Sequence, residues 1–263
     1  MAQDRDPGKA SKAYATRNPL AISKLGQALA QTICEYFIRG RRRYTYNPPT
    51  RARQEIPMGF YENRILPHFI DKACGATPIL KQRKKIVPLA TGRVLEVGMG
   101  SGINLQYYNP DKVEFVFGLE PSEGMRRKAQ ANLDSSPVEV RWLDLPGEEV
   151  PLDDKSVDTI VLTFTLCTIP DFRTALAQMR RVLKPGGTLL FCEHGEAPDE
   201  NVRRWQARVN PFWKVIGGGC NLNRPIPTCI EEAGFAISKL ENMYLPSTPR
   251  IAGYNYWGTA IHG

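Results

Sequence analysis

Short apolar runs and helical stretches take turns along most of this chain. Residues 93–98 (RVLEVG), 113–120 (VEFVFGLE), 138–144 (VEVRWLD), 157–165 (VDTIVLTFT) and 187–195 (GTLLFCEHG) are too short for buried helices, and their valine, isoleucine and aromatic content predicts strands. Between them, 103–108 (INLQYY), 122–133 (SEGMRRKAQANL) and 172–183 (FRTALAQMRRVL) carry the helical patterns. Strands that are apolar at nearly every position and alternate with helices form a parallel sheet covered on both faces. Residues 201–216 and 225–234 predict two more helices, and 235–245 with 251–262 two closing strands. Two short helices are expected upstream, within 58–75 and 79–90. The fold class is therefore α/β, with seven strands in one mostly parallel sheet.

Ahead of this body the pattern changes. Residues 1–18 are small and polar, as in a mobile terminus. From Pro19 to Arg43, Ile22, Leu25, Leu29, Ile33 and Phe37 recur at helical steps and lead into RGRRR, which predicts an amphipathic helix with a basic end. Its apolar stripe needs a cover: the protein's own domain, a second subunit in a homodimer, or a membrane surface. Residues 46–57 read as an extended connector. The chain accordingly divides into a basic N-terminal helical extension, 1–55, and a domain over 56–263.

Charge sharpens that division. Of a formal net charge of +8, residues 1–55 supply eleven Lys and Arg against four Asp and Glu. A basic terminus suits an anionic surface, but charge runs are more often solvated faces, and nothing in the body resembles a nucleic-acid module. No apolar run approaches the ~20 residues of a membrane-spanning helix, and no secretory leader is expected. The six cysteines stand at no metal-ligand spacing and several lie in apolar segments, so no metal is expected and a reducing cytoplasm is the expected location.

The chemistry begins at the first strand, which breaks into Gly98, Gly100 and Gly102. Glycines after a buried strand permit a tight turn and let backbone N–H groups approach a ligand. A dinucleotide fingerprint places its third glycine one position later, where this chain has Ile103. Glu96 precedes the glycines inside an apolar strand and needs a donor or cationic partner, because burying an unpaired carboxylate is costly. Glu120 closes the second strand, where a carboxylate can accept two ribose hydroxyls.

EVGMGSG, GLEPS, the succession LPGEEVPLDDKSVDTIVLTFTLCTIPD and RRVLKPGGTLLFCEH together resemble class I S-adenosylmethionine-dependent methyltransferases of type 11. With GFYENRILP, RRWQ and GGGCNL, the chain from about Met58 onward is similar to the methyltransferase-like thiol S-methyltransferases of animals and their bacterial relatives, whose apolar N-terminal anchor is not expected here. The resemblance implies a Rossmann-like fold and S-adenosylmethionine as cofactor. It implies that Glu96 lies near the cofactor's ammonium, that Gly98, Gly100 and Gly102 make room for the cofactor, that Asn104 helps to bind it, and that Glu120 takes the ribose. Pro121, Ser122, Gly147, Glu148, Thr165 and Leu166 would border the adenine and the rest of the cofactor. Relatives often carry Asp before the position of Gly147; this chain has Pro146, with Asp144 two residues earlier.

The acceptor implied is a small molecule, a thiol or sulfide, with an O- or N-nucleophile or a non-catalytic binding role as alternatives. His194, just past the fifth strand, is the candidate catalytic residue, able to favour a thiolate or else merely to order a loop. Tyr61, Trp205, Asn221 and Arg224 are the candidate substrate-binding residues. Trp205 and Trp213, eight residues apart, fit a core stripe equally well. Cys167 and Cys220 suggest sulfur chemistry or plain packing.

Overall fold

A computed structural model describes residues 66–262. The predicted N-terminal helix and Tyr61 lie outside the described residues. Two helices, α1 (Leu66–Cys74) and α2 (Thr77–Ile86), precede the sheet. There follow β1 (Gly92–Val97), β2 (Val113–Leu119), α3 (Glu123–Asp134), β3 (Val140–Leu143), β4 (Val157–Thr163), α4 (Phe172–Val182) and β5 (Leu183–His194). The chain closes with α5 (Glu200–Ile216), α6 (Ile226–Glu232), β6 (Phe235–Tyr244), α7 (Arg250–Gly253) and β7 (Tyr254–His262). None of the described helices is long and apolar enough to cross a membrane.

The seven strands form one sheet in the order β3-β2-β1-β4-β5-β7-β6. All pairs from β3 to β5 are parallel, and β7 runs antiparallel to β5 and β6. The strand order reverses between β1 and β4, which is where ligands sit in open α/β sheets, beyond the C-terminal strand ends.

Side-chain alternation explains the layering. Leu95 and Val97, Ile160 and Leu162, Leu189 and Phe191 point to one face, packing with Leu176 and Met179 of α4 and Ile226 and Ile230 of α6. Val94, Val161, Leu190 and Cys192 point to the other, packing with Ile86 and Trp257. Because successive strand residues face opposite sides, a continuous apolar run serves two cores at once. Helix starts are held by side chains: the Ser122 hydroxyl accepts from the Met125 amide at 3.3 Å and the Asp171 carboxylate from Thr174 N at 3.1 Å, caps worth about 1 kcal/mol each.

Two local expectations change. The 103–108 stretch forms only a 3₁₀ turn, Leu105–Tyr107, because Asn104 and Tyr108 are pulled toward Glu96 instead of continuing a helix. Pro185, Gly186 and Gly187 are an excursion inside β5: the β4–β5 register jumps from Val157↔Leu183 to Thr159↔Thr188, with Gly186 at φ +79°.

Candidate functional site

The end of β1 delivers Glu96 into the interior. Its Oε1 accepts from Asn104 Nδ2 at 2.9 Å and its Oε2 from the Tyr108 hydroxyl at 2.7 Å. One Arg83 guanidinium nitrogen of α2 donates to Asn104 Oδ1 at 2.9 Å and to Thr163 Oγ1 at 2.6 Å, and Asn104 Nδ2 also reaches Thr163 Oγ1 at 2.9 Å. The network is buried. Desolvation pushes the Glu96 carboxyl up to about 7, opposed by the Tyr108 and Asn104 hydrogen bonds and by the charge of Arg83. Glu96 thus has the donors its burial demands, supplied by protein groups. Arg83 escapes the sequence reading, since it sits in the basic run KQRKK. The signal was its place at helical spacing between Ile79 and Ile86, on the stripe that α2 buries.

The glycine loop turns sharply. Gly98, Gly100 and Gly102 all have positive φ, +68°, +61° and +74°. At Gly98 a Cβ would come within 2.2 Å of the Thr165 side chain, whose hydroxyl donates to the Gly98 carbonyl at 3.3 Å. No side chain fits there. Glu120, at the end of β2, pins the loop from beside it: Oε2 accepts from Gly100 N at 2.9 Å and Oε1 from Ser122 N at 2.8 Å. Burial raises its carboxyl, opposed by those two N–H donors. A carboxylate offers about four acceptor sites, so two remain for a ligand.

After β4 the backbone is strained: Phe164 adopts φ +54°, uncommon for a bulky residue. The buried Glu193 of β5 holds this turn, its Oε1 accepting from Thr165 N at 2.8 Å and Leu166 N at 3.1 Å. Glu193 Oε2 and His194 Nδ1 are buried and have no partner among the described residues. His194 Nε2 lies 3.0 Å from Cys220 Sγ, which is 3.7 Å from Cys167 Sγ. The structure therefore joins His194 to two cysteines that stand 53 residues apart along the chain and show no ligand spacing.

Asn221 and Arg224 serve the same corner. Asn221 Nδ2 donates to the Cys167 carbonyl at 2.9 Å, and Arg224 donates to the carbonyls of Leu166 and Ile169 while stacking over Phe172 at 4.4 Å. Both line a cavity of about 280 Å³ with Phe172, Thr228 and Glu232. Trp205 does not join them. It is 56% exposed on α5, because the helix buries the adjacent Gln206, whose amide clamps the carbonyls of Gly195, Leu222 and Ile251. Helix neighbours are about 100° apart, so anchoring Gln206 turns Trp205 outward, and the Trp205–Trp213 core stripe does not form. Gly147 is buried against Ile169 and Val97, while Glu148 reaches Asp171 N at 3.2 Å and Pro121 and Asp144 are exposed.

A methyltransferase domain family matches residues 95–191. The thiol S-methyltransferase TMT1B of Rattus norvegicus is 38% identical over 168 residues, 61% of this chain and 68% of the relative. The TMT1B of Homo sapiens is 37% identical over 176 residues, 62% of this chain and 71% of the relative. The chain belongs to the class I S-adenosylmethionine-dependent methyltransferases. A solved methyltransferase of Thermotoga maritima shares the methyltransferase fold at a TM-score of 0.55 and 20% identity, over 78% of this chain and 99% of that one. The cofactor of this family is S-adenosylmethionine.

Proposed function

We propose that this methyltransferase transfers the methyl group of S-adenosylmethionine to a small thiol or sulfide. The observation that carries the acceptor is the identity, 38% and 37% across about two-thirds of their length, to relatives named thiol S-methyltransferase. The residues at the strand ends fit both halves of that reaction.

The positive φ at Gly98, Gly100 and Gly102 turns the loop sharply after β1, and its backbone would pass along the cofactor. Glu120 would accept the ribose hydroxyls on the oxygen capacity that Gly100 and Ser122 leave unused. Glu96, behind the loop, would offer negative charge to the ammonium, with Asn104, Tyr108 and Arg83 fixing its position. Pro121, Ser122, Gly147 and Glu148 would frame the adenine, and Thr165 and Leu166 the floor beneath the methyl group. Bound there, the cofactor supplies an electrophilic methyl on a sulfonium.

The protein's own task is alignment and exclusion of water. A thiol attacks best as thiolate, and His194 at the end of β5 would favour that form of the acceptor. Asn221 and Arg224 brace the turn after β4 that carries Cys167. Residues 1–55 would form the basic extension and 56–263 the catalytic domain.

The test is incubation of the full chain with methyl-labelled cofactor and a panel of thiols, phenols and amines. Label on thiols supports the assignment. Label only on hydroxyl or amine acceptors overturns it and leaves the methyltransferase intact.

A further inference from the structure

Three soft ligands meet beside the cofactor loop. Cys167 Sγ, Cys220 Sγ and His194 Nε2 all lie within 4.8 Å of one another. Two thiolates held about 2.3 Å from one tetrahedral ion stand roughly 3.8 Å apart. The two sulfurs here are 3.7 Å apart. The His194–Cys220 separation, 3.0 Å, must open by about half an ångström to reach the nitrogen–sulfur spacing of such a site, within the freedom of a side chain.

The backbone is built to hold this arrangement. Gly218 and Gly219 both have positive φ and bring residue 220 back against the turn after β4, where Asn221 N donates to the Cys167 carbonyl at 2.9 Å and the Asn221 side chain donates to the same oxygen. His194 Nδ1 and Glu193 Oε2, adjacent in sequence and both buried, lack partners among the described residues. A metal-bound histidine gives its second nitrogen to a carboxylate, carbonyl or water, and His194 Nδ1 is not committed to any described residue.

We propose that Cys167, His194 and Cys220 bind a zinc ion whose fourth position is open to the sulfur of the methyl acceptor. Two thiolates neutralise a divalent ion, so the buried site carries no net charge. Three protein ligands are the pattern of catalytic sites, and four that of structural ones. Cys74, the other sulfur near Cys220, lies outside the group. The acceptor role rests on the thiol reading above.

The step balances without redox change. The acceptor's S–H proton goes to solvent as its sulfur binds the ion, and a sulfur lone pair forms the new bond to the methyl carbon. The old carbon–sulfonium bond breaks with its electron pair staying on the cofactor's sulfur. The neutral thioether then holds the ion weakly and leaves.

The full chain, purified under reducing conditions, is assayed for metal by mass spectrometry and reconstituted with cobalt as a spectroscopic stand-in. About one zinc per chain in the wild type, lost in Cys220→Ser and in Cys167→Ser with circular dichroism unchanged, supports the site. So does a thiolate-to-cobalt charge-transfer band that shifts on adding a small thiol. Absence of metal, a Cys167–Cys220 disulfide in its place, or metal retained in both variants overturns the site. A band that ignores thiols which the enzyme nonetheless methylates overturns the open position while sparing the thiol reading. A band that shifts with thiols the enzyme never methylates supports the open position and defeats that reading.

Discussion

The strand ends of β1 and β2 differ in construction from those of β4 and β5, and they form the two halves of the candidate site. In the first, several of the positioning hydrogen bonds join residues near in sequence, Glu96 with Asn104 and Tyr108 and Glu120 with Ser122, while Glu120 also reaches back to Gly100 N. In the second, groups far apart meet, Glu193 with Thr165 and His194 with Cys220. A site for a ligand shared by many enzymes can be carried by one short segment. In the function proposed above, the acceptor's site is the one assembled from loops that the sheet brings together. Arg83 joins the two halves, touching Asn104 on one side and Thr163 on the other.

The largest expected effect lies in the first half. Gly98→Ala adds a Cβ in the left-handed region against Thr165, and left-handed strain with overpacking costs about 2–4 kcal/mol. Calorimetry should find no binding of S-adenosylhomocysteine; normal affinity would remove the glycine loop from the cofactor site. Arg83→Met should cost about 3 kcal/mol, since it leaves buried polar partners unpaired, and should disturb both halves together. Denaturant unfolding measures that loss.

Glu96 gives the comparison a pH signature. Its carboxyl stands near 4.5 unfolded and about 7 folded, faced by Arg83, Tyr108, Asn104 and, at longer range, Glu120. Its stabilising contribution is therefore complete below about 4.5 and lost as pH rises to about 7, by roughly 3 kcal/mol at most. Glu96→Gln should abolish that slope in unfolding experiments at stepped pH. If the carboxylate serves the ammonium, cofactor affinity of the wild type rises over the same window. A smaller effect belongs to Glu120→Gln, expected to weaken S-adenosylhomocysteine about tenfold through one charged hydrogen bond. Trp205→Ala, at the surface, should change stability by no more than about 0.5 kcal/mol and leave affinity unaltered.

Most of the fold was legible because strand alternation and helix periodicity survive in any sequence that must bury two sheet faces. Val94 and Leu95 serve opposite cores, and both are apolar. The positions of Gly98, Gly100 and Glu120 were legible for a related reason, since a turn with positive φ and a carboxylate at a strand end leave fixed residue types. Arg83 was not, because a buried arginine and a solvated one look alike within a basic run. Nor was the meeting of Cys167, His194 and Cys220, which depends on sheet order and on the glycine-bearing turn before Cys220. Trp205 misled because the helix is oriented by Gln206, a polar residue whose three carbonyl partners no apolar pattern reveals.

In the proposed reaction the two halves face each other, with the cofactor's sulfur directed at the ends of β4 and β5. A crystal structure of the full chain with S-adenosylhomocysteine tests it most directly. The expected result is adenosine beside Glu120 and a sulfur separated from His194 and Cys220 by a gap that one small thiol fills. A cofactor lying elsewhere, or a sulfur walled off from His194 and Cys220 by packed side chains, would contradict it.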